Sequence, residues 1–99
     1  MTVCEEMQKL RDYLDSKKIE WIDKSDDWEM GWICRTHFDY KGNHWSVING
    51  LGTYGGFYHD EKHNAKLLEL MVSCVNDGEP VGYLKAEDVI NYMEKIHHE

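Results

Sequence analysis

Four hydrogen-bonding side chains, Arg35, His37, His44 and Ser46, fall at alternate positions in two neighbouring β-prone stretches of this 99-residue chain. Side chains two residues apart in a strand point to the same face of a sheet. If the two stretches pair as a hairpin, a guanidinium, two imidazoles and a hydroxyl share one surface that can grip a phosphate or carboxylate. The second stretch runs into Gly50-Leu51-Gly52-Thr53-Tyr54-Gly55-Gly56, a run that holds four of the eight glycines. Glycine lets backbone approach a ligand closely, so the N–H groups of Gly52, Thr53, Tyr54 and Gly55 are candidates to meet an anion, and Trp45 or Tyr54 to stack on a base. Together these residues make a candidate site for a small nucleotide-type ligand. The same residues also fit a solvated polar sheet surface followed by a cramped connection between a strand and a helix.

Other constellations carry less chemistry. The glycine run is neither a dinucleotide fingerprint with a ribose-binding acid downstream nor a P-loop, because no Gly-Lys-Ser or Gly-Lys-Thr occurs. His59 and His63 stand four apart and would share a helix face, the spacing of two metal ligands. The zincin pattern, however, needs Glu directly after the first His, and here Asp60 holds that place. Cys34 and His37 lie three apart, which on a strand sends them to opposite faces and denies them a nucleophile–base contact. No catalytic residue and no cofactor is assigned.

Composition narrows the partners. The formal charge is −8, from 19 acids against 11 bases, with no basic run to displace counterions from nucleic acid. Direct nucleic-acid binding is therefore not expected, although an acidic chain can occupy a basic groove on another protein. No long apolar run is present, and Met1–Glu6 lacks the basic and apolar regions of a signal peptide, so a cytoplasmic protein without membrane contact is expected. Cys4, Cys34 and Cys74 are an odd set without a C-x-x-C pair, which reads as reduced, mostly buried thiols. Four tryptophans, Trp21, Trp28, Trp32 and Trp45, are more than a small core usually needs, and a homodimer is one way to cover the surplus.

The elements that must position these residues follow from periodicity. Thr2 and Glu5 fit a capping box, and Val3, Met7, Leu10 and Leu14 recur at helical spacing to about Ser16. Ile19–Ile22 reads as a strand, Asp23–Asp27 as a polar turn, Trp32–Phe38 and Asn43–Asn49 as a hairpin about the Asp39–Gly42 turn. With Phe38 opposite Asn43, the residues Trp32, Cys34, Thr36, Phe38, Trp45 and Val47 share a core face, and Arg35, His37, His44 and Ser46 the other. Leu67, Leu68, Met71 and Val75 predict a second helix over Asn64–Val75, broken at Asn76–Pro80. Val81–Leu84 reads as a strand and Ala86–His97 as a last helix, with Lys85 where a Ser or Thr cap would be natural. The expectation is one α+β domain over residues 1–99, in the order α-β-β-β-α-β-α. Its small, mainly antiparallel sheet has three to four strands covered by helices.

The pattern Trp45-Ser46-Val47-Ile48, Gly50, Gly52-Thr53-Tyr54-Gly55-Gly56, Leu67-Leu68-Glu69-Leu70-Met71 and Val81-Gly82-Tyr83-Leu84, with Ala86-Glu87-Asp88-Val89-Ile90, covers the C-terminal two-thirds of the chain. It resembles small uncharacterised proteins encoded by bacteriophages and prophages. The resemblance implies a class of role, an accessory factor acting in the host cytoplasm against host machinery or immunity. On that basis the expected partner is a small nucleotide-type ligand, sequestered without catalysis. The alternatives are a host defence protein whose basic groove an acidic inhibitor would fill, and a metal-dependent hydrolase.

Overall fold

The computed structural model describes residues 4–28, 31–50 and 67–95, with the side chains of 27, 28, 31 and 32 outside that description. Helix α1 (Glu5–Ser16) buries Met7, Leu10, Arg11 and Leu14 along one stripe, as its spacing requires. Its cap is Cys4, not Thr2: the Cys4 thiol accepts the Met7 N–H at 3.4 Å. At the far end Lys18 takes φ 58°, and the N–H groups of Ile19 and Lys18 close onto the carbonyls of Leu14 and Asp15 at 2.9 and 3.1 Å. This double closure is a Schellman turn with a non-glycine residue in the left-handed position.

Strands β1 (Trp21–Asp23), β2 (Asp26–Trp28), β3 (Gly31–Tyr40), β4 (Asn43–Gly50), β5 (Leu68–Met71) and β6 (Val81–Leu84) form one sheet in the order β1-β3-β4-β5-β6, with β2 also paired to β3. Every pairing is antiparallel. β1 and β2 keep a single register against β3, with Asp23 opposite Thr36 and Asp26 opposite Ile33, so they are one edge lane interrupted at Lys24 and Ser25. There the Ser25 hydroxyl accepts the Arg35 N–H at 2.9 Å, in place of a backbone carbonyl. The expected polar turn over Asp23–Asp27 is thus mostly sheet edge.

β3 and β4 turn through Lys41 and Gly42 at φ 48° and 79°, the two left-handed residues of a type I′ hairpin. Because the turn takes two residues rather than four, Tyr40 pairs with Asn43 and Phe38 with Trp45. The expected register, Phe38 opposite Asn43, is therefore wrong by two residues. An even shift leaves each side chain on its assigned face.

The expected helix over Asn64–Val75 is overturned in its described part, where Leu68–Met71 is strand β5 between β4 and β6. Leu68, Leu70 and Val72 are buried, while Met71 is exposed and Glu69 is half-buried. A nearly continuous apolar run satisfies both the 3.6 and the 2.0 period. Here the unpaired edge of β4, a long-range partner that periodicity does not reveal, selects the strand. Among the described residues the order is α-β-β-β-β-β-β-α, still α+β and antiparallel but with six strands.

The turn at Asn76–Gly78 holds three successive positive φ angles, on Asn76, Asp77 and Gly78, residue types that tolerate them. Helix α2 (Ala86–Lys95) then buries Ala86, Val89 and Met93. Helices and sheet enclose one core: Met7, Leu10 and Leu14 meet Phe38, Trp45, Val47, Leu68 and Leu70 from the sheet, and Val89 and Met93 from α2. Trp45 lies at its centre, fully buried and stacked on Phe38 with ring centroids 5.7 Å apart. Its indole N–H donates to the Tyr40 carbonyl at 3.2 Å, which satisfies the polar atom that burial would otherwise strand.

Arg11 is the charged member of this interior, 5% exposed. Its Nε donates to Thr36 Oγ1 at 2.7 Å, and its Nη2 to the Arg35 carbonyl at 3.1 Å and to Asp23 Oδ1 at 3.3 Å. Its guanidinium lies 4.6 Å from the centroid of the Trp21 ring. One side chain thus ties α1 to the edge lane and to the backbone of β3 at the residue whose side chain reaches the opposite face.

Candidate functional site

The face of the sheet turned away from the helices carries the candidate residues. In β3, Arg35, His37 and Asp39 alternate with the core residues Cys34, Thr36 and Phe38, and in β4 His44, Ser46 and Ile48 alternate with Trp45 and Val47. The register sets His37 opposite Ser46, and Asp39 opposite His44. One row across the sheet runs Ile22, His37, Ser46, Met71, and the next runs Arg35, Ile48, Glu69. Ile22 and Met71, 58% and 46% exposed, put apolar surface at both ends of the histidine row.

Four of these groups form a continuous hydrogen-bonded chain. Ser46 Oγ lies 3.2 Å from His37 Nε2, His37 Nδ1 lies 3.3 Å from His44 Nε2, and His44 Nδ1 lies 2.8 Å from Asp39 Oδ1. The carboxylate can only accept, so His44 Nδ1 carries a proton and, with His44 neutral, its Nε2 accepts. His37 Nδ1 then donates, and His37 Nε2 accepts from the Ser46 hydroxyl. The rings meet edge to face, with centroids 5.1 Å apart. Burial first, then the nearby charges of His44, Lys24 and Arg35, push the His37 pKa below its ordinary value of 6.5. His37 is therefore neutral at pH 7.

Arg35 stands two residues from His37. Its backbone is fixed on both sides, the N–H by Ser25 and the carbonyl by Lys24 N–H at 3.0 Å and by Arg11. Among the described residues no carboxylate forms an ion pair with its guanidinium. The exposed acids Glu5, Asp12, Asp15, Glu87 and Glu94 belong to the helices, on the other layer. The same sheet face also carries two acids, Asp39, 86% exposed, and Glu69, half-buried, at either side of the Arg35–Ser46 cluster.

Trp45 is a correction. It shares β4 with His44 and Ser46 but faces the core with no exposed surface, so it cannot stack on a ligand. Gly52, Thr53, Tyr54 and Gly55, expected to rim the site, and His59 and His63, expected as metal ligands, lie outside the described residues. Cys34 and His37 do point apart, as their spacing required: Cys34 is buried and takes Arg11 Nη2 at 3.7 Å. Asp39 was missed, read only as part of a turn. Its contact with His44 becomes visible only when the turn shrinks to two residues, and the Lys41-Gly42 pair was the signal for that.

Clefts formed by described residues lie beside Lys18–Ile22 at the end of α1, along α2 at Asn91 and Lys95, and where Glu6 and Lys9 meet Lys85 and Glu87. Among the described residues no three His, Cys, Asp or Glu side chains converge as a metal centre, and no helix is long and apolar enough to cross a membrane. Comparison with protein-family models, with curated proteins and with solved structures finds no match to this chain. The functional reading therefore rests on the geometry of the open face.

Proposed function

We propose that this protein binds and sequesters a small nucleotide-type ligand on the open sheet face, without catalysis, as an accessory factor of a phage acting in the host cytoplasm. One observation carries the reading: Arg35, His37, His44 and Ser46 project from one face, and no described carboxylate neutralises the Arg35 guanidinium. Arg35 supplies the charge for a phosphate, and Ser46 and the imidazoles supply directional hydrogen bonds. Ile22 and Met71 supply flanking apolar contact for a base. The Gly52–Gly55 stretch, expected from the sequence as the rim of this site, lies outside the described residues. Calorimetry against a panel of cyclic and linear nucleotides tests this. Binding that Arg35→Ala weakens supports it, and no binding across the panel at high micromolar concentration sinks it.

A second reading is an acidic inhibitor seated in a basic groove of a host nuclease or other defence protein; it is supported by the exposed helix acids Glu5, Asp12, Asp15, Glu87 and Glu94. Capture from host lysate at rising salt tests it. Retention should fall steeply with salt and with the change of Asp12, Asp15, Glu87 and Glu94 to neutral amides. Retention indifferent to both would overturn it.

A further inference from the structure

The geometry points to a zinc-type metal site at the His37–His44 pair, with His37 Nδ1 and His44 Nε2 as its two protein ligands. Two nitrogens bound at about 2.0–2.1 Å to one tetrahedral zinc stand about 3.3–3.4 Å apart. His37 Nδ1 and His44 Nε2 are 3.3 Å apart. Two imidazoles brought to that separation across a hairpin need only turn their lone pairs toward a common point in front of the sheet.

The far nitrogens strengthen the assignment. A metal-ligating histidine is commonly held by a hydrogen bond from its other ring nitrogen to a carboxylate, carbonyl or water, which fixes the tautomer and raises ligand basicity. His44 has this support from Asp39 Oδ1 at 2.8 Å on Nδ1, leaving Nε2 free to ligate. His37 has Ser46 Oγ at 3.2 Å on Nε2, which orients the ring with Nδ1 toward His44. Each ring is thus oriented from behind, and the two unsupported nitrogens face one another.

In the metal-free protein the His37 Nδ1 proton bridges that gap. On binding, His37 gives up the Nδ1 proton and carries one on Nε2 instead. The Ser46 hydroxyl turns from donor to acceptor, so the neutral pair takes the cation with no net proton change. Imidazole suits zinc, copper and nickel, and the separation fits a tetrahedral ion better than a square-planar one, whose adjacent ligands lie closer together. Catalytic zinc sites have three protein ligands and structural sites four, so two histidines make a weaker site whose remaining positions water fills. Asp39 favours the cation and Arg35 and Lys24, on the same side of the sheet, oppose it.

This goes beyond the nucleotide reading and does not depend on it, because the metal alone is the titrant. Chelator-stripped full-length protein is titrated with Zn2+ by calorimetry, and the histidine ring nitrogens are followed by NMR. One site should be lost in His37→Ala and in His44→Ala and weakened about 10- to 100-fold in Asp39→Asn. In the wild-type spectrum His37 should switch to the Nε2–H form. Absence of zinc binding, an isotherm unchanged in both histidine variants, or wild-type binding that leaves the His37 and His44 signals unmoved would each overturn the assignment. The wild-type spectrum decides the matter even where a variant fails to fold.

Discussion

Glu6, in the first helix, accepts the backbone N–H of Ala86, at the start of the last helix, at 2.9 Å. Lys85, where a capping Ser or Thr would be natural, has no side chain able to accept that bond. The α2 cap is therefore built from two carboxylates, Glu6 reaching from α1 and Asp88 Oδ2 accepting the Lys85 N–H at 2.8 Å. Glu6→Ala should cost about 1–2 kcal/mol in chemical denaturation, the range for losing a helix cap. An unchanged denaturation midpoint would show the bond to be incidental. Burial works to raise the Glu6 pKa, but the Ala86 N–H and then Lys9, by hydrogen bond and charge, outweigh it and hold it below the ordinary value of 4.5. Its contribution is full above about pH 4.5 and is lost as pH falls through the lowered folded value. The wild-type and Glu6→Gln stability curves should accordingly converge in acid.

Histidine 37 works in the opposite part of the pH scale. Folding lowers its pKa, so above 6.5 it is neutral in both the folded and unfolded chain and contributes no pH dependence. Below 6.5 the unfolded chain takes up the proton first, and stability declines until the lowered folded pKa is passed. Denaturation midpoints measured from pH 7.5 to 5 should fall, and His37→Gln should flatten that fall. A slope unaltered in the variant would assign the dependence to another group.

Arg11 is enclosed by partners that cannot be replaced one at a time. Arg11→Ala removes the donor to Thr36, the carbonyl contact with Arg35 and the contact with Trp21, and should destabilise by about 3 kcal/mol or more. Arg11→Met keeps the buried stem and should cost clearly less than Ala. Equal losses for the two would show that packing contributes nothing beyond the charge network.

Lys18→Gly should raise stability by about 0.5–1 kcal/mol, because glycine adopts the left-handed conformation of the α1 Schellman turn without the clash a Cβ makes. A decrease in thermal midpoint would show that the Lys18 side chain contributes more than its backbone conformation costs.

Local patterns located α1, β6, α2 and the two faces of the hairpin, but not its register or the long-range pairings. α1, β6 and α2 were legible because apolar spacing and turn residues agreed there. The two faces of β3 and β4 were legible because alternation assigns a face in any register of the same parity. The segment over Leu68–Met71 misled because Leu-Leu-Glu-Leu-Met-Val carries no single period, and only the β4 edge, distant in sequence, makes it a strand. Within the candidate site, Arg35, His37, His44 and Ser46 were assigned to one face correctly. Asp39 was hidden by a two-residue error in turn length, and Trp45 was placed at once on the core face and among ligand contacts, which no strand residue can satisfy. Arg11 escaped notice because a lone arginine in an amphipathic stripe looks like a helix-surface residue until its partners on β3 are known.

The interrupted edge lane has a consequence for how the molecule behaves among its copies. An exposed edge of a sheet is a template on which another chain can add a strand and begin a fibril. Here that edge is cut into two pieces of three residues, and the Ser25 side chain occupies the hydrogen-bonding register between them. Asp23, Lys24, Asp26 and Asp27 place charge along it, leaving an incoming strand neither a continuous ladder nor a neutral surface. At that border the break and the charges work against strand addition by another copy of the chain.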